Sequence, residues 1–305
     1  MQRETGTGRP AGRRRRGVTL LSTLGGCALV AASATPVAAH GGTDGAVRYT
    51  ALGDSYTSGP FIPRQVDVGC ARSDHNYPSL VAARLRATTF KDVSCGGATT
   101  ENMWKPQGAN GPQLDAVNRG SDLVTVQIGG NDIGFGSIIA TCAQVAAQDP
   151  AGDPCRRHYG TSGVDELTVK IAKTAPKIAR VLRAVHERAP RARVLLVGYP
   201  DLLPDDGSGC APSVPFATGD FPYLRDTGKR LNLMLRLVAL WNRAEYVDTY
   251  GPTVGHDMCT PPAVRWIEPL QPASPAAPAH PNAKGEEAMS GAVWQRLTHG
   301  RGGGR

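Results

Sequence analysis

Apolar and polar positions alternate in register along most of the chain, and the period changes several times. Val47–Leu52 is a short β-rich run that ends at Gly53. Residues 56–74 carry Gly, Pro and Cys and predict a loop. From Tyr77 to Ala87 the spacing is helical, with Leu80, Val81, Ala83 and Leu85 recurring as on one helix face. Phe90–Val93 predicts a short strand, and Leu123–Ile128 is an almost unbroken β-branched run closed by Gly129-Gly130. Residues 141–162 form a polar insertion. Val164–Arg188 predicts a long helix that Pro176 should kink or split. Val194–Val197 is a fourth strand, 223–243 another long helix, and 246–248 a last short strand. The stretch 261–281 is rich in Pro and Ala and predicts a loop, and 282–298 is helical with Asn282 as N-cap.

Strands that alternate with helices, and that are apolar at nearly every position, belong to parallel sheets buried on both faces. The expected fold is therefore α/β. In such sheets ligands bind outside the carboxyl ends of the strands, so the residues just after each strand matter most. No repeat of 20–50 residues occurs, which excludes a solenoid.

The net charge of +8 changes once the N-terminus is set apart. Arg13–Arg16 precedes an uncharged stretch, Val18 to Ala39, that closes with small residues at Val37 and Ala39. This is the pattern of a secretory signal cut before His40. Leu24-Gly25-Gly26-Cys27 also permits a lipoprotein acylated at Cys27, and Arg15-Arg16 a twin-arginine route. The expected organisation is a signal over 1–39 and one domain over 40–305, with its core at about 47–298. That body holds 28 basic and 25 acidic side chains, a net of +3. So small an excess argues against a nucleic-acid partner.

Six of the seven cysteines, 70, 95, 142, 155, 210 and 259, fall in the body, and none forms a C-x-x-C pair. In an exported chain this even number predicts three disulfides. Six cysteines allow 15 connectivities. Nearest-neighbour pairing, Cys70–Cys95, Cys142–Cys155 and Cys210–Cys259, is the simplest.

Three strand ends carry polar or glycine-rich stretches: Gly53-Asp54-Ser55-Tyr56, Ser94 to Thr100, and Gly129-Gly130-Asn131-Asp132. Ser55 would present a hydroxyl at the rim. The N–H of Gly97 is open to close approach for want of a Cβ, and Asn131 brings an amide donor. A serine nucleophile needs a base. Of the seven histidines, His280 stands on a loop braced by Pro281, just before the last helix. His256, near Cys259, is the other loop candidate.

These blocks, in this order and spacing over nearly all of 47–298, resemble the four blocks of the GDSL, or SGNH, hydrolases. Gly53-Asp54-Ser55-Tyr56 is similar to the first, Gly97-Ala98-Thr99 to the second, Gly129-Gly130-Asn131-Asp132 to the third and His280-Pro281-Asn282 to the last. The six-cysteine layout resembles the secreted actinobacterial lipase and esterase branch. The resemblance implies a three-layer α/β/α sandwich on a central parallel sheet, flavodoxin-like in kind. It implies Ser55 as nucleophile and His280 as general base and then acid. It also implies an oxyanion hole from the Ser55 N–H, the Gly97 N–H and the Asn131 amide, with no metal and no cofactor.

The sequence departs from that pattern twice. The position three before His280, where many members carry Asp, is Ala277, and 275–279 contains no acid. The expectation is a Ser55–His280 dyad oriented by a main-chain oxygen near Ala277 or Pro278, with Asp257, Glu268 and Glu286 as the acids that folding would have to supply instead. Gly96 replaces the usual Ser before the second-block glycine, which loosens that turn.

The expected activity is hydrolysis of carboxylic esters, lipid acyl esters first. The runner-up is a carbohydrate acetylesterase acting on substrates such as acetyl xylan, and a third reading is a non-catalytic lipid- or glycan-binding module. Trp104, Tyr56, Phe61 and Tyr223 are candidates to line the cleft. A small-molecule or lipid ester is the expected partner, with transient contact at a lipid interface, a monomeric state and an extracellular location. No G-x-S-x-G occurs, which sets aside the α/β-hydrolase nucleophile elbow, and neither H-E-x-x-H nor a phosphate-binding glycine loop is present.

Overall fold

The computed structural model of the protein describes residues 47–299 except 162 and 208. The expected secretory signal and the Cys27 lipobox lie outside the described residues.

Five parallel strands form the central sheet in the order β4-β1-β5-β6-β7. They are β1 (Arg48–Gly53), β4 (Thr89–Asp92), β5 (Leu123–Gln127), β6 (Arg193–Val197) and β7 (Glu245–Val247). Each lies within a residue or two of the run that predicted it. The register aligns Gly53 with Gln127, so β1 and β5 end side by side. Alternate residues face opposite layers, as the period of a strand requires. Tyr49, Ala51, Leu195 and Val197 pack with α2 (Tyr77–Leu85) and α7 (Ala283–His299). Leu52, Val124, Val126 and Leu196 join the larger cluster beneath α5 (Glu166–Arg188) and α6 (Asp220–Trp241). This is the three-layer α/β/α sandwich.

Three local expectations are corrected. Residues 56–74 are not all loop. Ser55–Ser58 is a single helical turn, α1, and an antiparallel pair, β2 (Gln65–Asp67) with β3 (Arg72–Ser73), follows it. Both are too short to show a period. About half of the 141–162 insertion is helical: α3 (Phe135–Ala146) runs into it and α4 (Pro154–Tyr159) lies near its end. The Asp220 carboxylate accepts the Cys155 and Arg156 N–H groups at 2.9 Å each, so a residue 64 positions away caps α4. Finally, Pro176 does not split α5, which is one helix of 23 residues. Pro176 and Ala172 lie on its exposed face, where water can satisfy the carbonyl that Pro176 leaves free, while Ile171, Thr174 and Ile178 hold the opposite face to the core.

Disulfides join Cys70–Cys95, Cys142–Cys155 and Cys210–Cys259. The first ties the β2–β3 hairpin to the loop after β4, and Gly96 N–H donates to the Cys70 carbonyl at 2.8 Å. Gly96 is thus held, not loosened.

Candidate active site

β1 ends at Gly53 because the chain must turn there against its neighbours. A Cβ on Gly53 would lie 2.0 Å from Thr57 Oγ1 and 2.9 Å from the Gln127 carbonyl. The Gln113 side chain clamps the same residue, accepting from its N–H at 2.8 Å and donating to its carbonyl at 2.9 Å. Asp54 then caps α1, its carboxylate accepting the Tyr56 N–H at 3.0 Å. Ser55 is the first residue of this turn, so its own N–H has no acceptor within the helix. Its side chain faces the rim.

The Ser55 hydroxyl lies 2.7 Å from His280 Nε2, across 225 residues of sequence. His280 Nδ1 lies 2.7 Å from the Pro278 carbonyl. A carbonyl can only accept, so Nδ1 carries the proton and Nε2 is the free acceptor facing the serine. Asp257, Glu268 and Glu286 do not contact the ring. Asp257 accepts the Cys259 N–H at 2.8 Å, and Glu286 accepts the Tyr77 N–H at 2.7 Å. Glu268 is buried and acts on the backbone of the His280 loop. Its carboxylate accepts from Ala273 N–H and Asn282 Nδ2 at 2.8 Å each, and its N–H donates to the His280 carbonyl at 2.9 Å. Asn282, as expected, caps α7 through the N–H groups of Lys284 and Gly285 at 3.0 and 3.2 Å.

Tyr56 is the residue that the sequence reading undervalued. Its ring stacks on the imidazole at 4.7 Å between centroids, and its hydroxyl donates to the Ala279 carbonyl at 2.6 Å. Ala279 is a non-glycine residue at φ +59°, a strained conformation that this bond and the Ala279 N–H to Glu268 carbonyl bond (3.0 Å) hold in place. Phe135 meets the imidazole edge-on at 6.0 Å. Desolvation by this cage pushes the His280 pKa down to about 4, against the opposing pull of the Pro278 carbonyl.

The other two blocks converge nearby. Cys95 N–H donates to the Gly53 carbonyl at 3.1 Å, so the loop after β4 starts beside the end of β1. Gly97 is exposed at φ +77°, a region that favours glycine. Asn131 Nδ2 donates one hydrogen to the Ala98 carbonyl at 2.9 Å, and its second amide hydrogen remains. Asp132 accepts from the Thr100 N–H at 2.9 Å. Adjacent residues of the third block therefore brace the second.

Beneath Ser55, Tyr199 donates to Asp54 Oδ2 and accepts from the Gly130 N–H at 2.9 Å. Burial raises the Asp54 carboxyl to about 7, and the Tyr199 and Tyr56 hydrogen bonds oppose that rise. A cleft of about 770 Å³, counting its mouth, opens from Ser55 and Asn131 between α3 and α6. Ile133, Ile138, Leu203, Leu224 and Leu231 are among its walls. Of the four aromatic residues expected to line it, only Tyr56 does. Trp104 lies under Arg180 at 4.3 Å, Tyr223 donates to Asp165 at 2.8 Å, and Phe61 is solvent-exposed. His256 stacks on Trp266 at 3.5 Å, with Nδ1 2.7 Å from the Val264 carbonyl, away from this site.

A hydroxyl paired with a neutral imidazole, at the carboxyl end of a parallel sheet and beside an apolar cleft, defines a hydrolase of carboxylic esters. Comparison with known proteins narrows the class. The family model of the GDSL-like lipase/acylhydrolase family matches residues 51–288, and the chain belongs to that family. "Lipase 2" of Streptomyces coelicolor is 40% identical over 278 residues, which cover 88% of this chain and 92% of the relative. An esterase of Streptomyces scabiei is 29% identical over 68% of this chain and 71% of its own length. Among solved structures, the extracellular lipase of Streptomyces rimosus superposes with a TM-score of 0.69 at 26% identity, covering 82% of this chain and 99% of the lipase. Phospholipase A1 of Streptomyces albidoflavus NA297 shares the fold with the same TM-score at 24% identity, over 82% of this chain and 99% of that one.

Proposed function

We propose that this protein is an exported lipase or esterase that cleaves acyl esters of lipids through an acyl-enzyme on Ser55. The observation that carries the proposal is the 2.7 Å contact between Ser55 Oγ and His280 Nε2, with the opposite ring nitrogen held by the Pro278 carbonyl. In this reading His280 takes the serine proton as Oγ attacks the ester carbonyl, and returns it to the leaving alcohol. The acyl-enzyme then reacts with water, which His280 activates in turn. Charge developing on the carbonyl oxygen meets the Ser55 N–H, the Gly97 N–H and the free Asn131 amide hydrogen. The bond from Asn131 to the Ala98 carbonyl, which links the third block to the residue after Gly97, supports this reading. The catalytic pair is a dyad, and the imidazolium is stabilised by a carbonyl dipole in place of a carboxylate.

The aliphatic walls of the cleft support an acyl chain rather than a sugar, which would need hydrogen-bonding partners along them. Three disulfides support an oxidising, extracellular location, as does similarity to the extracellular lipase of S. rimosus. The decisive experiment measures hydrolysis of p-nitrophenyl esters from C2 to C16, triacylglycerols, phospholipids and acetylated xylan by the wild type and Ser55→Ala. The expected result is turnover of lipid esters that Ser55→Ala reduces by about 10⁴-fold or more. Comparable turnover in Ser55→Ala would remove Ser55 from the mechanism. Preference for acetyl xylan over every lipid would keep the mechanism and overturn the substrate.

A further inference from the structure

Helix α6 has two apolar faces, and only one is used by the fold. Leu224, Leu231, Leu235 and Val238 are buried, and the first two also wall the cleft. On the outer side, Leu233, Leu237, Leu240 and Trp241 are 55, 37, 70 and 73% exposed. At ~100° per residue these four fall within one arc of about 100°. They form a continuous stripe, unlike the isolated exposed apolar residues that need no explanation.

Along α6 itself the charged groups beside the stripe carry one sign, and Asp248, just past β7 (Glu245–Val247), is the carboxylate that shares the surroundings of Tyr246 with Arg236. From Lys229 to Arg243 the exposed positions are Lys229, Arg236, Arg243 and the four stripe residues, and residues 227–244 contain no Asp or Glu. Among the described residues, Arg236 and Arg243 pair with no carboxylate. The neighbouring helix α5 extends the pattern. Arg183 donates to the Asn242 side chain at 3.3 Å, which places a further guanidinium beside the end of the stripe. Residues 173–188 of α5 hold five Lys or Arg and a single acid, Glu187.

We infer that this face of α6 docks on an anionic lipid surface, with the Leu and Trp side chains entering the interfacial layer and Arg183, Arg236 and Arg243 meeting the acidic headgroups. Leucine and tryptophan flanked by Arg and Lys is the composition of helices that lie in a membrane interface. Each basic residue near an anionic leaflet adds to the attraction. The charge pattern weighs against a second copy of the chain as occupant. A two-fold dimer apposes identical patches, and this one would bring unpaired guanidinium groups toward their counterparts. The helix that touches the lipid is the helix whose inner face, through Leu224 and Leu231, walls the acyl cleft. The inference deepens the lipid-ester reading, on which it rests.

The test uses protein recovered from the culture medium of an expressing host, and compares the wild type with Leu240→Ser/Trp241→Ser and with Arg236→Gln/Arg243→Gln. All four positions are exposed, so both variants should keep the wild-type melting temperature. Binding is read by co-sedimentation with vesicles of phosphatidylcholine alone and of phosphatidylcholine containing phosphatidylglycerol. The wild type should partition at least tenfold more strongly onto the anionic vesicles. The Leu240/Trp241 variant should lose tenfold or more on both vesicle types, and the arginine variant only the preference for anionic lipid. In both variants kcat/KM for a soluble short-chain ester should stay within about twofold of wild type. Unchanged vesicle binding in the Leu240/Trp241 variant would overturn the inference. So would a wild-type dimer in sedimentation that the same variant turns into a monomer. Since soluble-ester turnover is recorded alongside, failure of docking is distinguishable from failure of the Ser55 mechanism.

Discussion

In the proposed mechanism His280 must be neutral to accept the serine proton, so the pH at which it protonates would set the acid limit of activity. Two features of its surroundings act in the same direction. Tyr56 and Phe135 cover the ring, and no carboxylate reaches it to favour the imidazolium. The group is held at about 4, against an ordinary value of 6.5. The difference is large in rate. At pH 5.5 an imidazole of pKa about 4 is ~97% neutral, whereas one at 6.5 would be about 10% neutral. Thus kcat/KM for a soluble short-chain ester should stay within about 10% of its plateau at pH 5.5, where an unperturbed histidine would lose roughly tenfold. The free-enzyme profile should fall only as pH approaches 4. It is measured by pH-stat titration, with circular dichroism at each pH to confirm that the chain remains folded. Asp54 complicates the profile and supplies its control. Its folded pKa, about 7, lies above the ordinary 3.8. The folded state therefore takes up a proton there before the unfolded chain does. Its ionisation costs stability as pH rises from about 4 to 7, and that cost is absent below about 4. A limb near 7 that vanishes in Asp54→Asn belongs to Asp54. A limb at 6.5 or above that persists in Asp54→Asn refutes the reasoning for His280.

Asn131→Ala should lower kcat by about 10²–10³ with little change in KM, since in the proposed mechanism its free amide hydrogen is used only once the oxyanion forms; a rise in KM alone would place it in ground-state binding. Gly228 sits mid-helix in α6, lines the cleft, and has nothing within 4 Å of where a Cβ would be. Gly228→Ala should therefore add about 0.5–1 kcal/mol of stability in urea unfolding. Gly228→Phe should reduce the C16-to-C4 ratio of kcat/KM by tenfold or more, and an unchanged ratio would exclude this cleft as the acyl site. Tyr199→Phe leaves Asp54 Oδ2 and the Gly130 N–H without their buried partner, and should destabilise the fold by about 1–3 kcal/mol in the same unfolding assay.

The five sheet strands were legible because burial on both faces writes near-continuous apolar runs into β5 and β6, and because glycine must follow where the chain turns against its neighbours, as at Gly53. The long helices were legible from their period. The elements that escaped are those whose stability comes from far along the chain. α4 is capped by Asp220, and the single turn α1 is held by Asp54, itself pinned by Tyr199. The same division runs through the site. Ser55, Gly97, Asn131 and His280 could be picked out because each sits at a strand end or beside a breaker in a stretch with a recognisable order. What holds His280 in place could not. Its Nδ1 bonds to a carbonyl, which every residue has, so the absence of an acid near Ala277 left the choice of oxygen open. Tyr56 and Glu268 steady the same loop by bonding to the main chain of Ala279, Ala273 and His280, and a bond to a backbone atom leaves no trace in the identity of its partner. Sequence patterns therefore reveal the groups that react more readily than the groups that aim them. In this protein the loop of the proposed base, His280, is steadied by the Tyr56 ring, one residue after the proposed nucleophile, and by buried Glu268, twelve residues before His280.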